Sequence, residues 1–563
     1  MPGLINVYID SDRDGNITES DFGQHNWVWG KASPGAIVIP NVDREGVGLT
    51  PDQADNELAK IVVSRVPTDT LPENISIYVS SSTSAAQRYT LYRIDERGEV
   101  VFFMGLDPNS EEFRSYGQLP LDGETLYLEA RELPGEGFEG LITFEFCLLH
   151  LENDIPYLYD IHLNNAYCVF RVAPWIMTPT TQPAVQVFTV QIKDENSRFL
   201  SELEAACSEA GVPLTIIDGS QYRDDRWIQD EIEFGYCESP TRILPVVLDG
   251  PRDRGLDNFP EKHLLRDDFG HFVVKRRFLN NSLDSFGNLE VSPPVFVNGK
   301  HYPLGRIVFG GKQFNAYGSD LRQMMPELRR VLYAQKIQSP IEVYSDWLAV
   351  GHVDEFMNFI PDIDSEKGFR LMLASPTLCR SALSDLQTQG FGQTKMFEGQ
   401  KRFDPVTGCY TYDASITIDD YLANQALAEV DERCQEYIDL NKEILKSSLG
   451  LDEADIIYAP VTFKPASAQS RRVLAFFPDM VNHLIVNDFH IVPKPYGPII
   501  NGQCVFENMM TEALPSYKEV RYIDDWLSYH EMSGEVHCGT NTLREPFSNV
   551  RWWDHMPDGG FNI

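Results

Sequence analysis

The stretch "SGEVHCGTNTLREPF", residues 533–547, sets Cys538 between a histidine and a Gly-Thr-Asn turn. A free cysteine is most often a small buried hydrophobe. Here Glu535, His537, Thr540, Asn541 and Arg544 give it polar company, and polar, partly exposed surroundings are where thiols react. Successive side chains on an extended strand face opposite ways, so His537 is not expected to be the base, and a partner must come from elsewhere. "DWLAVGHVDEFMNFIP", residues 346–361, offers His352 and Asp354, which share a face if the stretch is a strand. His-x-Asp suits metal ligation, a histidine oriented by its carboxylate, or two groups converging on one substrate; the alternative is a satisfied core histidine.

Two further stretches carry charge that could complete such a site. In "DDRWIQDEIEFGY", residues 224–236, a period of two puts Trp227, Gln229, Glu231 and Glu233 on one face and Asp230, between Ile228 and Ile232, on the other. A carboxylate on an apolar face needs a cation or strong donors to stay charged, so Asp230 either caps backbone amides or receives a cationic ligand. The oxygens opposite it are either solvated or suited to a hard cation such as calcium. In "LDGPRDRGLD", residues 248–257, Arg252 and Arg254 flank Asp253 in a Gly/Pro loop, either exposed to solvent or presenting guanidinium forks to carbonyls and carboxylates.

These stretches are held by a chain of 563 residues, 42% hydrophobic, with room for roughly three to five globular domains, or fewer if one is a large propeller or barrel. With 84 acidic against 47 basic residues the formal charge is -37, which argues against nucleic acid and anionic membranes as partners and favours cationic ligands or metal ions, the alternative being a merely soluble acidic surface. Nine cysteines, scattered singly, suit a reducing, cytoplasmic compartment rather than a disulfide framework or zinc site. No signal-like start and no run approaching ~18 apolar residues is present, so a soluble, unprocessed protein is expected.

Two regimes of patterning follow. Before about residue 175 the alternating runs "AIVIPNV", "ISIYVSS", "RYTLYRI", "EVVFFMG", "ETLYLEA", "LITFEFCLL" and "AYCVFRV" recur between turn residues, as in a β-sandwich. After the joint "APWIMTPTTQP", strands alternate with helical patterns such as "SRFLSELEAACSEAG" and "DLRQMMPELRRVLYAQKI", an α/β arrangement. The longest predicted helix lies within residues 418–450, where Leu427, Val430, Cys434, Tyr437 and Ile438 recur at helical spacing; Cys434 is therefore core and no rival nucleophile.

Taken in order, "RVAPWIMTP", "WIQDEIEFGY", "GPRDRGL", "LDSFGNLEVSPPV", "YSDWLAVGHVDEF", "RVLAFFPDMVNHLIV", "KPYGPIINGQC" and "GEVHCGTNTLREPF" resemble the protein-arginine deiminases, calcium-dependent enzymes that convert peptidyl-arginine to peptidyl-citrulline. The resemblance covers nearly the whole chain. It implies an all-β immunoglobulin-like sandwich over residues 1–177 and a five-bladed α/β propeller of the pentein, guanidino-modifying type over residues 178–563. It implies Cys538 as nucleophile, His352 as general acid and base, and Asp230 with Asp354 as the pair that grips the guanidinium. Trp227 matches the wall against the substrate's aliphatic stem, and Arg252 and Arg254 match residues that hold the peptide backbone. Several Ca2+ ions are implied: one among Gln229, Glu233, Glu290 and the carbonyls of Phe286 and Leu289, a second among Glu231, Asp249, Asp253 and the Gly250 carbonyl.

In the first half "DSDRDGNITESD" resembles an EF-hand loop, with Asp10, Asp12, Asp14, Asn16 and Thr18 at alternating positions, but ends in Asp21 rather than Glu. A further family cluster matches Asn41, Asp43, Glu45, Asp52, Asp55, Glu129 and Asp268, with a shortened acidic loop between Glu45 and Asp52. The resemblance starts inside the second domain of vertebrate members, which implies that their first immunoglobulin-like domain is missing; their dimer is therefore not inferred and oligomeric state stays open. Met532 stands where some members carry a peptide-contacting arginine, so sequence preference is not transferred. Rival readings are a free-arginine or agmatine deiminase, a calcium-dependent adhesion module, which leaves Cys538 with His352 unexplained, and a thiol protease, for which no nucleophile-bearing helix is seen.

Overall fold

The computed structural model describes residues 5–23, 26–43, 58–65, 75–110, 112–120, 122–152, 155–158, 166–252, 254–274, 280–313, 321–404 and 407–557. Each alternating run of the first half becomes a strand. Together with five further strands they sort, among the described residues, into two six-stranded sheets. One is ordered Ile5–Tyr8, Ala59–Arg65, Gly123–Ala130, Tyr89–Ile94, Val100–Leu106, Phe113–Arg114; the other is built on Leu141–Glu152, antiparallel to both Ile75–Ser80 and Ala166–Val172. Period-two alternation gives each sheet one apolar face. Val7, Ile61, Leu91 and Leu128 of one sheet share a buried core with Ile77, Phe144, Phe146 and Phe170 of the other. Ile176–Met177, within the joint, already pairs with Gly235 and Tyr236 of the second half.

Beyond the joint one unit recurs among the described residues: a central strand paired antiparallel on one side and parallel on the other. The centres are Ala184–Gln191, Ile243–Asp249, Ile307–Gly311, Phe369–Ala374 and Phe489–Pro493. Apolar residues on both faces of these centres let each unit pack against two others. Phe188 and Val190 of the first share a core with Phe234 and Val247 of the second. The second joins the third through Val246, Leu248, Ile307 and Phe309, and the third, fourth and fifth join through Val308, Leu371, Leu373 and Val492. Val187 of the first then meets Ile491 and Ile523 of the fifth. The first unit is completed from the far end of the chain, because Thr540–Arg544 pairs with Ala184–Gln191.

Helices flank these units. Ser197–Glu209 and Pro326–Ala334 form within the stretches whose spacing predicts them. The longest helix among the described residues, Gln425–Leu449, lies within residues 418–450 as predicted; the short helix Ile418–Ala423 precedes it, separated because Asn424 leaves helical geometry and its side chain caps the longer helix by accepting from Leu427 N–H. Cys434 is fully buried there, as its spacing requires. No helix among the described residues is long and apolar enough to cross a membrane.

Candidate active site

Turns, rather than the expected strands, make the site converge. Ile228–Glu231 is one helical turn that leads into the strand Ile232–Glu238. Val353–Glu355 is a 3-10 turn with His352 at its N-cap, and residues 536–539 form a turn before Thr540–Arg544. The backbone of the first turn is satisfied locally, Ile232 N–H bonding to Ile228 O, while Gln229 N–H reaches Cys538 O at 3.4 Å. A helical turn separates successive side chains by about 100°. Gln229, Asp230 and Glu231 therefore point three ways, and the two-faced assignment fails at these positions.

Asp230 Oδ1 lies 3.5 Å from His352 Nδ1, and its Oδ2 lies 3.7 Å from Arg252 and 4.0 Å from Arg254. Asp354 Oδ2 accepts from His537 Nδ1 at 2.9 Å and from Cys538 Sγ at 3.5 Å. His352 Nε2 meets the Ser282 carbonyl at 2.7 Å, which makes that nitrogen the donor and leaves Nδ1 with a lone pair when the ring is neutral. His352 Nδ1 and Asp354 Oδ1 are buried and have no hydrogen-bond partner. Two buried acceptors without donors call for N–H groups from a ligand. Gly287 keeps the space beside them open: a Cβ there would crowd His352 Nδ1 and come within 3.1 Å of Asp354 Oδ2.

The thiol is held by Asn482, whose Nδ2 donates to Sγ at 3.2 Å and whose Oδ1 accepts from Cys538 N–H at 3.2 Å. Burial, then the charges of Asp354 and Asp230, push the Cys538 thiol well above its ordinary range. The wet surroundings expected for it are not found: Glu535, Thr540, Asn541 and Arg544 are buried, so the setting is polar but enclosed. Burial pulls His537 down, yet its bond to Asp354 and the charge of Glu290 leave it above its ordinary value.

Trp227 stacks edge-on against Tyr529 at 5.7 Å, and its ring lies where a side chain on Gly534 would stand. Arg252 is buried and engaged, donating to Trp227 O at 3.0 Å and to Glu231 at 3.3 Å and pairing with Asp225 at 3.3 Å. Arg254, with a side chain 53% exposed, faces solvent at the rim.

Gln229, Glu233 and Glu290 line a cavity of about 40 Å³ with His537 and Arg544. Gln229 Nε2 donates to Glu233 at 2.9 Å and to the Phe286 carbonyl at 3.3 Å, and Leu289 adjoins Glu290 on one strand. Burial drives Glu290 up to about 7, and burial with the charge of Glu290 drives Glu233 well up. Glu231 Oε1 and Asp249 Oδ1 are also buried without partners, and Gly250 N–H bonds Glu231 O at 2.6 Å. Burial pushes Glu231 up to about 9. Carboxylates this enclosed fit a hard cation that takes oxygen ligands.

In the first half the ligand atoms of Asp10, Asp12 and Asp21 lie within 4.8 Å of one another. Asp14 and Asn16 turn into their own loop, Asn16 N–H bonding Asp14 at 2.7 Å, while Thr18 caps the 3-10 turn that brings Asp21 in. Asn41 donates to Glu129, and Arg242 bridges Asp43 at 3.3 Å and Asp268 at 2.7 Å. Glu45, Asp52, Asp55 and Asp253 lie outside the described residues.

The family model described as protein-arginine deiminase (PAD) matches residues 163–554, and that of the PAD middle domain matches residues 4–150. The chain belongs to the protein-arginine deiminase family. It is 40% identical over 580 residues to mouse protein-arginine deiminase type-3, covering 98% of this chain and 83% of that protein. Human type-4 is 38% identical over 571 residues, with 98% and 83% covered. A solved agmatine deiminase of C. jejuni overlays with a TM-score of 0.36 at 12% identity, covering 67% of this chain and 99% of that one, too loose a likeness to add to the assignment. As a deiminase the chain is an enzyme acting on guanidino groups. Spacing and motif reading set His537 aside and passed over three further residues that the structure brings to the candidate site: Asn482, Gly287 and Asp225. Only Asn482 carried a signal, as a lone amide inside the apolar run "MVNHLIV".

Proposed function

We propose that this deiminase hydrolyses peptidyl-arginine to peptidyl-citrulline and ammonia, through a covalent thiouronium on Cys538 and under control of calcium. The observation that carries the reading is the pair of partnerless buried acceptors, His352 Nδ1 and Asp354 Oδ1, beside the thiol. A planar guanidinium offers paired N–H forks, so Asp230 and Asp354 can neutralise and orient it while its carbon stays open to sulfur. Its positive charge also offsets the two carboxylates that hold the thiol protonated, so substrate binding itself favours the thiolate.

Proton movement then runs through His352. Nδ1 takes the thiol proton as the C–S bond forms, and delivers it to the nitrogen that leaves as ammonia. It next takes a proton from the water that attacks the thiouronium carbon. Breaking of the C–S bond forms the citrulline carbonyl, the proton held by His352 returns to sulfur, and the remaining hydroxyl proton passes to solvent, where the ammonia takes it up. Gln229, Glu233, Glu290 and the Phe286 and Leu289 carbonyls would hold one calcium ion; Glu231, Asp249, Asp253 and the Gly250 carbonyl would hold a second. When bound, the ions supply positive charge that fixes the backbone on either side of Asp230. A first-half site is read at Asp10, Asp12 and Asp21. The closed succession of shared cores supports a five-bladed propeller over residues 178–563, and the paired sheets support an immunoglobulin-like sandwich over residues 1–177.

The test is citrulline formation from an arginine-containing protein and from free arginine, each with calcium and with chelator. Turnover of the protein substrate in calcium alone is expected. Faster turnover of free arginine would overturn the peptidyl reading, and full activity in chelator would overturn the calcium reading. Arg254→Ala is expected to penalise the protein substrate far more than a small guanidine, because Arg254, unlike the buried Arg252, reaches the rim; equal losses would remove it from backbone recognition.

A further inference from the structure

The hairpin of Lys401–Asp404 and Cys409–Asp413 stands against the segment that leads to the thiol. Three bonds tie it there: Trp526 Nε1 donates to Lys401 O at 2.8 Å, Phe403 N–H to Glu531 Oε2 at 3.1 Å, and Tyr410 O–H to Met532 Sδ at 3.4 Å. Phe403 and Tyr410 pair across the two strands, with rings 5.5 Å apart. Alternation sends Arg402 the other way, its guanidinium over the Phe476 ring at 4.7 Å and donating to Phe476 O at 3.0 Å. The face beside Met532 therefore shows carbon and sulfur rather than charge. Phe403 is 49% and Met532 38% exposed, so two large apolar side chains joined by Tyr410 meet solvent together. A contiguous exposed apolar patch marks a contact surface.

The occupant of that patch follows from its place. Met532 is two residues from Gly534, a span of at most about 7 Å between Cα atoms. Gly534 lies between the Trp227 ring and the thiol: a Cβ there would crowd the ring and come within 3.2 Å of Cys538 Cβ. An arginine whose guanidinium reaches Cys538 along Trp227 has its own backbone at this rim, and the next Cα of a peptide lies only about 3.8 Å further on. We propose that Phe403, Tyr410 and Met532 form a subsite for a bulky apolar side chain next to the target arginine, an inference that rests on the peptidyl-arginine reading of the site. An acidic side chain there would instead meet Glu531, whose Oε1 is already buried without a donor.

The test measures kcat/KM for citrulline formation in calcium from blocked tripeptides with a central arginine, in which one neighbour is glycine and the other is glycine, leucine, glutamate or lysine. At one of the two positions leucine should exceed glycine roughly five- to tenfold, and glutamate should fall below glycine. In Phe403→Ser and in Met532→Ser the ratio of leucine to glycine should drop towards one, whereas Tyr410→Phe, which keeps the ring, should retain it. Both replaced side chains are exposed, and Met532→Ser serves if Phe403→Ser does not fold. Equal rates for leucine and glycine at both positions, or an undiminished leucine preference in both serine variants, would overturn the subsite. A lysine preference that exceeds leucine and vanishes in Glu531→Gln would assign the rim to charge and overturn it too. Turnover of free arginine with none of any tripeptide would overturn the peptidyl reading, and the subsite with it.

Discussion

One methyl group at Gly287 tests the role of His352 directly. Gly287 does not use the left-handed backbone region, so alanine fits its conformation and would by itself stabilise by about 0.4–1 kcal/mol through a stiffer unfolded chain. Crowding reverses that sign. The new Cβ would stand about 1 Å short of ordinary van der Waals contact with His352 Nδ1. The imidazole is fully enclosed and tied to Ser282 O at 2.7 Å, so it cannot retreat without loosening that bond. Overpacking of this kind costs about 1–3 kcal/mol, leaving a net loss near 1–2 kcal/mol. Displacing the acid and base by about 1 Å should lower kcat on the order of 100-fold, with KM changing less because Asp230 and Arg254 are untouched and Asp354 Oδ2 is approached only to 3.1 Å. The assay is citrulline release from a peptidyl-arginine substrate at saturating calcium, beside a thermal melt of the same preparation. Wild-type kcat in a variant whose melting temperature has fallen would refute His352 as the proton carrier, and wild-type values of both would refute the packing.

Cys538→Ser should abolish turnover with little change in melting temperature, since volume is kept and a weaker nucleophile installed; citrulline at near the wild-type rate would exclude the covalent route. Asp354→Asn removes a charge 3.5 Å from sulfur, so in the absence of substrate iodoacetamide should alkylate Cys538 faster at pH 8 while turnover falls. Slower alkylation would contradict the electrostatic account of the thiol. Glu231 and Glu290 are pushed up by burial to about 9 and about 7 from an ordinary 4.5, so both bind protons more tightly folded than unfolded. The stability they contribute is complete below about pH 4.5 and lost as pH rises through about 7 and 9. Melting temperature in chelator should therefore fall between pH 6 and 9, and calcium, which takes the deprotonated forms, should flatten or invert the trend; a rise in chelator would be evidence against those carboxyls being buried together.

Long periodic segments were legible in the sequence, and short ones were not. "ISIYVSS" and "LITFEFCLL" alternate over enough residues to specify strands, and Leu427, Val430, Cys434 and Ile438 repeat over enough turns to specify a helix. The chemistry sits where periodicity breaks. Residues 228–231 and 353–355 span a single turn each, too short for a period to be read, and assuming a strand there misjudged which neighbours could meet. His537 was set aside on the same assumption, although in a turn both it and Cys538 reach Asp354. Gly287 left no trace in the sequence because its contribution is an absence of side chain beside residues far along the chain. Asn16 and Thr18 fitted a loop pattern, but local hydrogen bonds and a helix cap claimed them, and Asp21 took the place beside Asp10 and Asp12.

The pairing of Thr540–Arg544 with Ala184–Gln191 also sets the order of events on the ribosome. Thr189 Oγ1 bonds Gly539 O at 2.8 Å across 350 residues, a closure whose entropy alone costs about 5 kcal/mol. Until that strand has emerged, the first unit lacks its antiparallel edge. The same segment delivers the thiol, in the turn just before it. A nascent chain thus gains Cys538 and the antiparallel partner of Ala184–Gln191 together, and a translation product that stops short of residue 538 carries Asp230 and Asp354, the proposed guanidinium grip, without the proposed nucleophile.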